Sequence, residues 1–173
     1  MRAWLALTLM LPLAAAAQTF SSGENSGDRG SRGEVKVPLP AYPKAENYLP
    51  FQVSATTPFA FFVDAKSISV GADRVLRYSV IAKSAEGGLN ISFEGMRCAD
   101  RQFRVYAFGR PDNTWFELRD SRWEPIPRDP RNAQRAALYN DYFCPMTGSI
   151  ATAEDGVRAL KYGGNSRSTI TGD

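Results

Sequence analysis

From Tyr48 to Leu118 the chain alternates short aromatic and β-branched runs with clusters of Gly, Pro, Asp and Asn, the rhythm of strands joined by tight turns. The runs place strands over residues 48–54, 59–70 with a break near Asp64 to Lys66, 74–84, 89–97, 102–109 and 114–118. The connections Gly71-Ala72-Asp73, Ala85-Glu86-Gly87-Gly88, Cys98-Ala99-Asp100-Arg101 and Arg110-Pro111-Asp112-Asn113 are too short for parallel crossovers. Successive strands are therefore expected as antiparallel neighbours in a β-meander. Alternation is clearest over 74–84, where Leu76, Tyr78, Val80 and Ala82 share one face and Arg77, Ser79 and Lys83 the other. This predicts one buried and one wet side. Ile91 and Phe93 mark a buried face on the next strand, and Phe103, Val105 and Ala107 on the one after.

Beyond the strands the period changes. Trp123, Pro125 and Pro127 exclude regular helix over 121–129, and Asp129-Pro130 then supplies a helix start, with Asp as N-cap and Pro where its missing N–H costs nothing. Ala133, Ala136, Leu138, Tyr139, Tyr142 and Phe143 form an apolar stripe at helical spacing, and Pro145 should end the helix by pushing Cys144 out of the α region. A second helix is expected over 153–162, with Thr152 and Asp155 as a partial capping box and Gly163-Gly164 as the stop. The expected fold is α+β but mainly β: an antiparallel meander of about six strands, a curved sheet or partial barrel, with a C-terminal helix packed on it.

The N-terminal pattern is of another kind. Arg2 precedes a run over 3–13 that is apolar apart from Thr8 and Pro12, and Ala15-Ala16-Ala17 offers the small residues that signal peptidase accepts. The run is shorter than the roughly 20 apolar residues needed to span a bilayer. It is read as a signal peptide over 1–17, cleaved between Ala17 and Gln18, with no cysteine after the cut to carry a lipid. Downstream the longest uninterrupted apolar stretch is Phe59 to Val63, so no transmembrane segment is expected in the mature chain. Residues 18–34 are rich in Gly, Ser, Arg and acidic side chains and read as a disordered leader. Val35, Val37, Leu39 and Ala41 then alternate with Lys36, Pro38, Pro40 and Tyr42, which favours an extended Pro-rich strap lying on the domain. The expected organisation is leader 18–34, one β-rich domain over 35–162 that includes the strap, and a flexible tail over 163–173.

Charge and cysteine content narrow the chemistry. Removal of residues 1–17 takes away one of 21 basic side chains and none of 18 acidic ones, leaving a net charge of +2. Such a balance names no partner. Nine arginines face six acidic residues between Arg97 and Arg135, but without a recognised module nucleic acid is not an expected partner. Cys98 and Cys144 in an exported domain are expected to pair, closing a loop worth roughly 4 kcal/mol. A redox pair is usually closer in sequence, and a zinc site needs more ligands. The chain has no histidine, which removes Ser-His-Asp and Cys-His nucleophilic catalysis, and no cofactor or metal is expected.

A carboxylate dyad remains conceivable among Glu94, Asp100, Glu117, Asp120 and Asp141, with Glu94 beside Gly95 the most interesting. A strand carboxylate flanked by an arginine such as Arg97 is more often a surface ion pair. No catalytic residue is therefore assigned. Seventeen of the twenty aromatic residues lie between Tyr42 and Phe143, enough to fill a core or to line an apolar pocket. Trp115 and Trp123 flank the polar stretch Arg119-Asp120-Ser121-Arg122 and, with Arg97, mark the candidate binding surface.

Several blocks carry a family likeness. Leu39-Pro40-Ala41-Tyr42-Pro43, Asn47-Tyr48-Leu49-Pro50-Phe51, Phe62-Val63-Asp64, Arg77-Tyr78 and Phe93-Glu94-Gly95-Met96-Arg97-Cys98 are among them. Arg104-Val105-Tyr106-Ala107, Thr114-Trp115, Trp123 and Asp141-Tyr142-Phe143-Cys144-Pro145 extend it. Over roughly residues 35 to 145 the chain resembles the "cryptic neisserial protein" family of bacterial envelope proteins. The Glu-Gly-x-Arg-Cys and Tyr-Phe-Cys-Pro blocks are its most specific parts. The resemblance implies a secreted bacterial domain and transfers no catalytic residue. The expectation is a non-catalytic domain, periplasmic or associated with the outer membrane, that binds another envelope protein or component. The alternative is a carrier or sensor of a small apolar or sugar ligand.

Overall fold

A computed structural model of the 173-residue chain describes residues 33–36, 38–54, 56–126, 133–145 and 149–164. The signal sequence, most of the leader, the Asp129-Pro130 helix start and the last nine residues of the tail lie outside them.

Eight strands form one antiparallel sheet: β1 (Tyr48–Phe51), β2 (Ala60–Asp64), β3 (Ser69–Val70), β4 (Leu76–Lys83), β5 (Leu89–Arg97), β6 (Gln102–Gly109), β7 (Trp115–Glu117) and β8 (Glu124–Pro125). The pairing order is β1-β2-β4-β5-β6-β7, with β3 also on β4 and β8 also on β6. The sheet is thus open, not closed into a barrel. Six rows account for the eight strands. β2 and β3 are one row beside β4, interrupted by the 3₁₀ turn Ala65–Ser67, and β7 and β8 are one interrupted row beside β6. β1 is shorter than the sequence predicts because the Gln52 N–H leaves the ladder and donates to the Tyr142 hydroxyl at 3.0 Å.

Two helical segments cover one face of the sheet. The first begins as α1 (Ala133–Ala137) and widens into a π-helix over Leu138–Phe143, whose last turn is closed by the Cys144 N–H donating to the Tyr139 carbonyl. Cys144 then takes φ −118° and ψ 73°, outside the helical region, as the following proline requires. The second, α2 (Ala153–Lys161), opens on a complete capping box between Thr152 and Asp155. The Cys98–Cys144 disulfide, with α-carbons 5.4 Å apart, ties the end of the π-helix to the turn after β5. Beneath the helices, Leu76, Tyr78, Val80, Met96 and Phe103 from the sheet pack against Leu138, Tyr142 and Phe143. Among the described residues no helix is long and apolar enough to cross a membrane.

The opposite face departs from the expected wet side. Arg77, Ser79 and Ile81 are as buried as the core positions between them, and only Lys83 is exposed. Ile91, Phe93 and Ala107 are buried on this face too, whereas Phe103 and Val105 belong to the helix side. A β-bulge between Phe93 and Glu94 makes the switch: it leaves Tyr106 without a partner on β5, so β6 changes face at that point. The N-terminal strap lies here. Trp115 donates its indole N–H to the Pro40 carbonyl at 2.9 Å, its ring 5.3 Å from that of Tyr42, and Tyr42 donates its hydroxyl proton to the Arg110 carbonyl at 2.9 Å.

Candidate functional site: a carboxylate cradle beneath the strap

Register explains how the site is assembled. Arg77 on β4, Gly95 on β5 and Arg104 on β6 lie in one cross-strand row on the strap face. The bulge delivers Tyr106 to the same face, and the absent side chain at Gly95 leaves room for its ring: a Cβ there would stand 2.9 Å from two ring carbons. The two guanidinium groups flank that ring at 5.9 and 5.5 Å from its centroid.

Glu34 of the strap enters this row. Its Oε1 accepts from the Tyr106 hydroxyl and from Arg77 at 3.4 Å, and its Oε2 accepts from Arg104 at 2.9 Å and from the Trp123 indole N–H at 3.0 Å. Both carboxylate oxygens are thus doubly bonded by donors that lie 43 to 89 residues away along the chain. The Arg97 guanidinium stacks on Trp123, 4.1 Å from the ring, and so backs the indole that faces Glu34.

Arg77 is only 2% exposed and holds a second carboxylate. Its two terminal nitrogens donate to Asp73 at 3.2 and 2.7 Å. The pair also grips the strap backbone: the Val35 N–H donates to Asp73 Oδ2 at 2.8 Å, and Arg77 donates to the Val35 carbonyl at 3.0 Å. Burial pushes the Asp73 carboxyl up, but hydrogen bonds from Arg77, Val35 and Val75 outweigh it and hold the group at about 2. Burial and the Glu34 carboxylate push the Tyr106 phenol well above its ordinary value.

Beside the cradle a solvent-open cleft of about 670 Å³ runs between the strap and the β6–β7 row. Arg104, Arg119 and Lys36 supply cations to its wall, Glu34 and Glu117 supply carboxylates, and Leu39, Phe93, Phe116 and Leu118 supply apolar surface.

The sequence-predicted candidates fall into two groups. Arg97 and Trp123 come together at the cradle, while Trp115 sits apart with Tyr42 and Phe93; both indoles are half-buried and bonded to the strap. Glu94 is on the helix side, 1% exposed, and its partner is not the neighbouring Arg97 but Arg135. Arg135 reaches in from α1 and donates to both oxygens at 2.9 and 2.7 Å, while Ser92 adds a bond at 2.7 Å. Asp100, Glu117, Asp120 and Asp141 are exposed. Among the described residues no three Cys, Asp or Glu side chains are grouped to hold a metal.

Sequence reasoning missed Glu34, Arg77, Arg104 and Tyr106 as a site. Arg77 and the Arg104-Val105-Tyr106 block did figure in the family likeness, and Glu34 stands at the boundary drawn between leader and strap.

Fold and site together define a class: an open antiparallel sheet, stapled by one disulfide to helices on one face and gripped on the other by its own N-terminal strap through a partly buried carboxylate. The chain belongs to the CNP1-like family, whose model matches residues 29–161. No curated protein and no solved structure matches it.

Proposed function

We propose that the protein is a non-catalytic domain of the bacterial cell envelope, exported to the periplasm, which binds another envelope component through the cleft beside the strap. The observation that carries this reading is the cleft's chemistry, charged groups of both signs from Arg104, Arg119, Lys36 and Glu117 set among Leu39, Phe93, Phe116 and Leu118. Mixed apolar and charged lining of that kind suits recognition. Reaction chemistry finds little support there. Arginine stays protonated, Tyr106 is pushed up and Asp73 is held low, so these groups do not exchange protons near neutral pH. The disulfide and the export-type N-terminus favour an oxidising compartment. One observation favours a carrier as second reading: about 670 Å³ falls within the roughly 300–1,000 Å³ of small-molecule sites.

The test uses tagged full-length protein recovered natively from the envelope, as wild type and as Phe116→Ala and Arg119→Ala, two exposed positions whose loss should leave the fold intact. A protein that accompanies the wild type and is lost from both variants supports the binding module. A co-purifying metabolite without a protein partner moves the assignment to the carrier, and recovery of neither overturns both.

A further inference from the structure

The cradle satisfies a glutamate completely, and it does so with unequal halves. All the donors, Arg77, Arg104, Tyr106 and Trp123, belong to the folded domain, three of them on or beside the central strands. The acceptor comes from a strap with no regular secondary structure around residues 33–36. Charge follows the same division. Asp73 already balances Arg77, whereas Glu34 is the only carboxylate among the described residues within ion-pair distance of Arg104. Without Glu34 the row would present Arg104 uncompensated, with Arg97 on Trp123 behind it, while Arg119 in the cleft lining is accompanied by Glu117, and Lys36 belongs to the strap itself. Such a surface attracts an anion.

A brace does not need this design, since a buried ion pair adds little stability over well-packed apolar side chains. Nor does the site read charge alone. The Arg77–Asp73 pair holds both backbone polar groups of Val35, its N–H and its carbonyl. What is recognised is therefore a glutamate side chain together with the backbone N–H and C=O of the residue that follows it.

We infer that the Arg77–Arg104–Tyr106–Trp123 cradle is a receptor for a glutamate within an extended peptide. Glu34-Val35 fills it in cis, and an acidic segment of a protein partner takes its place and runs on into the adjoining cleft. This rests on the strap face being a binding surface, as proposed above. The tethered strap competes at an effective concentration in the millimolar range, so the closed form masks affinity that its removal reveals.

The test is binding of a fluorescent peptide with the strap's own sequence, Gly-Glu-Val-Lys-Val-Pro-Leu-Pro, to the full chain as wild type, Glu34→Ala and Glu34→Gln, with melting curves confirming the fold of each. Removal of the cis carboxylate should raise affinity at least tenfold, and replacing the peptide's Glu by Gln should abolish the gain. Equal affinity for wild type and variants overturns the inference, and so does failure of both variants to fold, which would make Glu34 a structural element only. Free glutarate serves as the second ligand. If it binds the variants as tightly as the peptide does, the site is a simple anion site and the peptide assignment falls. The two proposals fail separately, because partner loss in Phe116→Ala and Arg119→Ala without any gain in Glu34→Ala keeps the surface and removes the exchange.

Discussion

Arg77 is the residue on which the strap side turns, because a single buried guanidinium serves Asp73, Glu34 and the Val35 carbonyl together. Its partner Asp73 gives the arrangement a pH signature. The folded carboxyl titrates at about 2 against an ordinary value of 3.8. The depression means that its contribution is complete above about pH 4 and is lost as pH falls towards 2, a change of roughly 2 kcal/mol. Urea unfolding of wild type and Asp73→Asn from pH 2 to pH 7 checks this: the difference between them should be largest at neutral pH and shrink through that acid window. A difference that does not change with pH would contradict it. In the sequence Arg77 read as a wet-face position. Alternation reports the polarity of a side chain but not what lies over it, and here a segment some forty residues upstream does.

Local pattern specifies elements far better than it specifies partners. β5 and β6 fall on the predicted boundaries, and the break predicted near Asp64 to Lys66 is the 3₁₀ turn that splits β2 from β3. β8 escaped notice because a two-residue pairing beside Pro125 leaves no periodic trace. Glu94 shows the same limit. Its neighbours in the chain suggested a surface pair, yet the register turns it inward to an arginine 41 residues away. Removing one partner of a buried pair leaves the other uncompensated, so Glu94→Ala should cost about 3–5 kcal/mol in urea unfolding. The double change Glu94→Leu with Arg135→Met should recover most of that loss. Recovery of none would mean that the pair contributes more than a packed apolar contact. The capping box of α2 is the opposite case, legible in Thr152 and Asp155 because it closes within four residues.

The molecule as a whole is a sheet held from both sides: helices and a disulfide on one, the strap and its carboxylate on the other. The two cysteines lie 46 positions apart, so the link restricts a large part of the unfolded chain. Replacing both by alanine should lower unfolding free energy by roughly 4 kcal/mol. Comparison with wild type treated with a reductant separates loss of the bond from loss of packing, and equal midpoints for wild type and the double variant would show that the bond adds nothing. Where the meander runs, where the first helix stops, where the second starts and stops and which cysteines can pair were all legible in the linear order of residues, because each rests on short-range periodicity, capping or a count of two. The cradle was not. It exists because a bulge swings Tyr106 across the sheet, a glycine makes room for its ring, and a distant strap supplies the charge. Each of these is a relation between segments far apart in the chain, which only folding brings within hydrogen-bond distance.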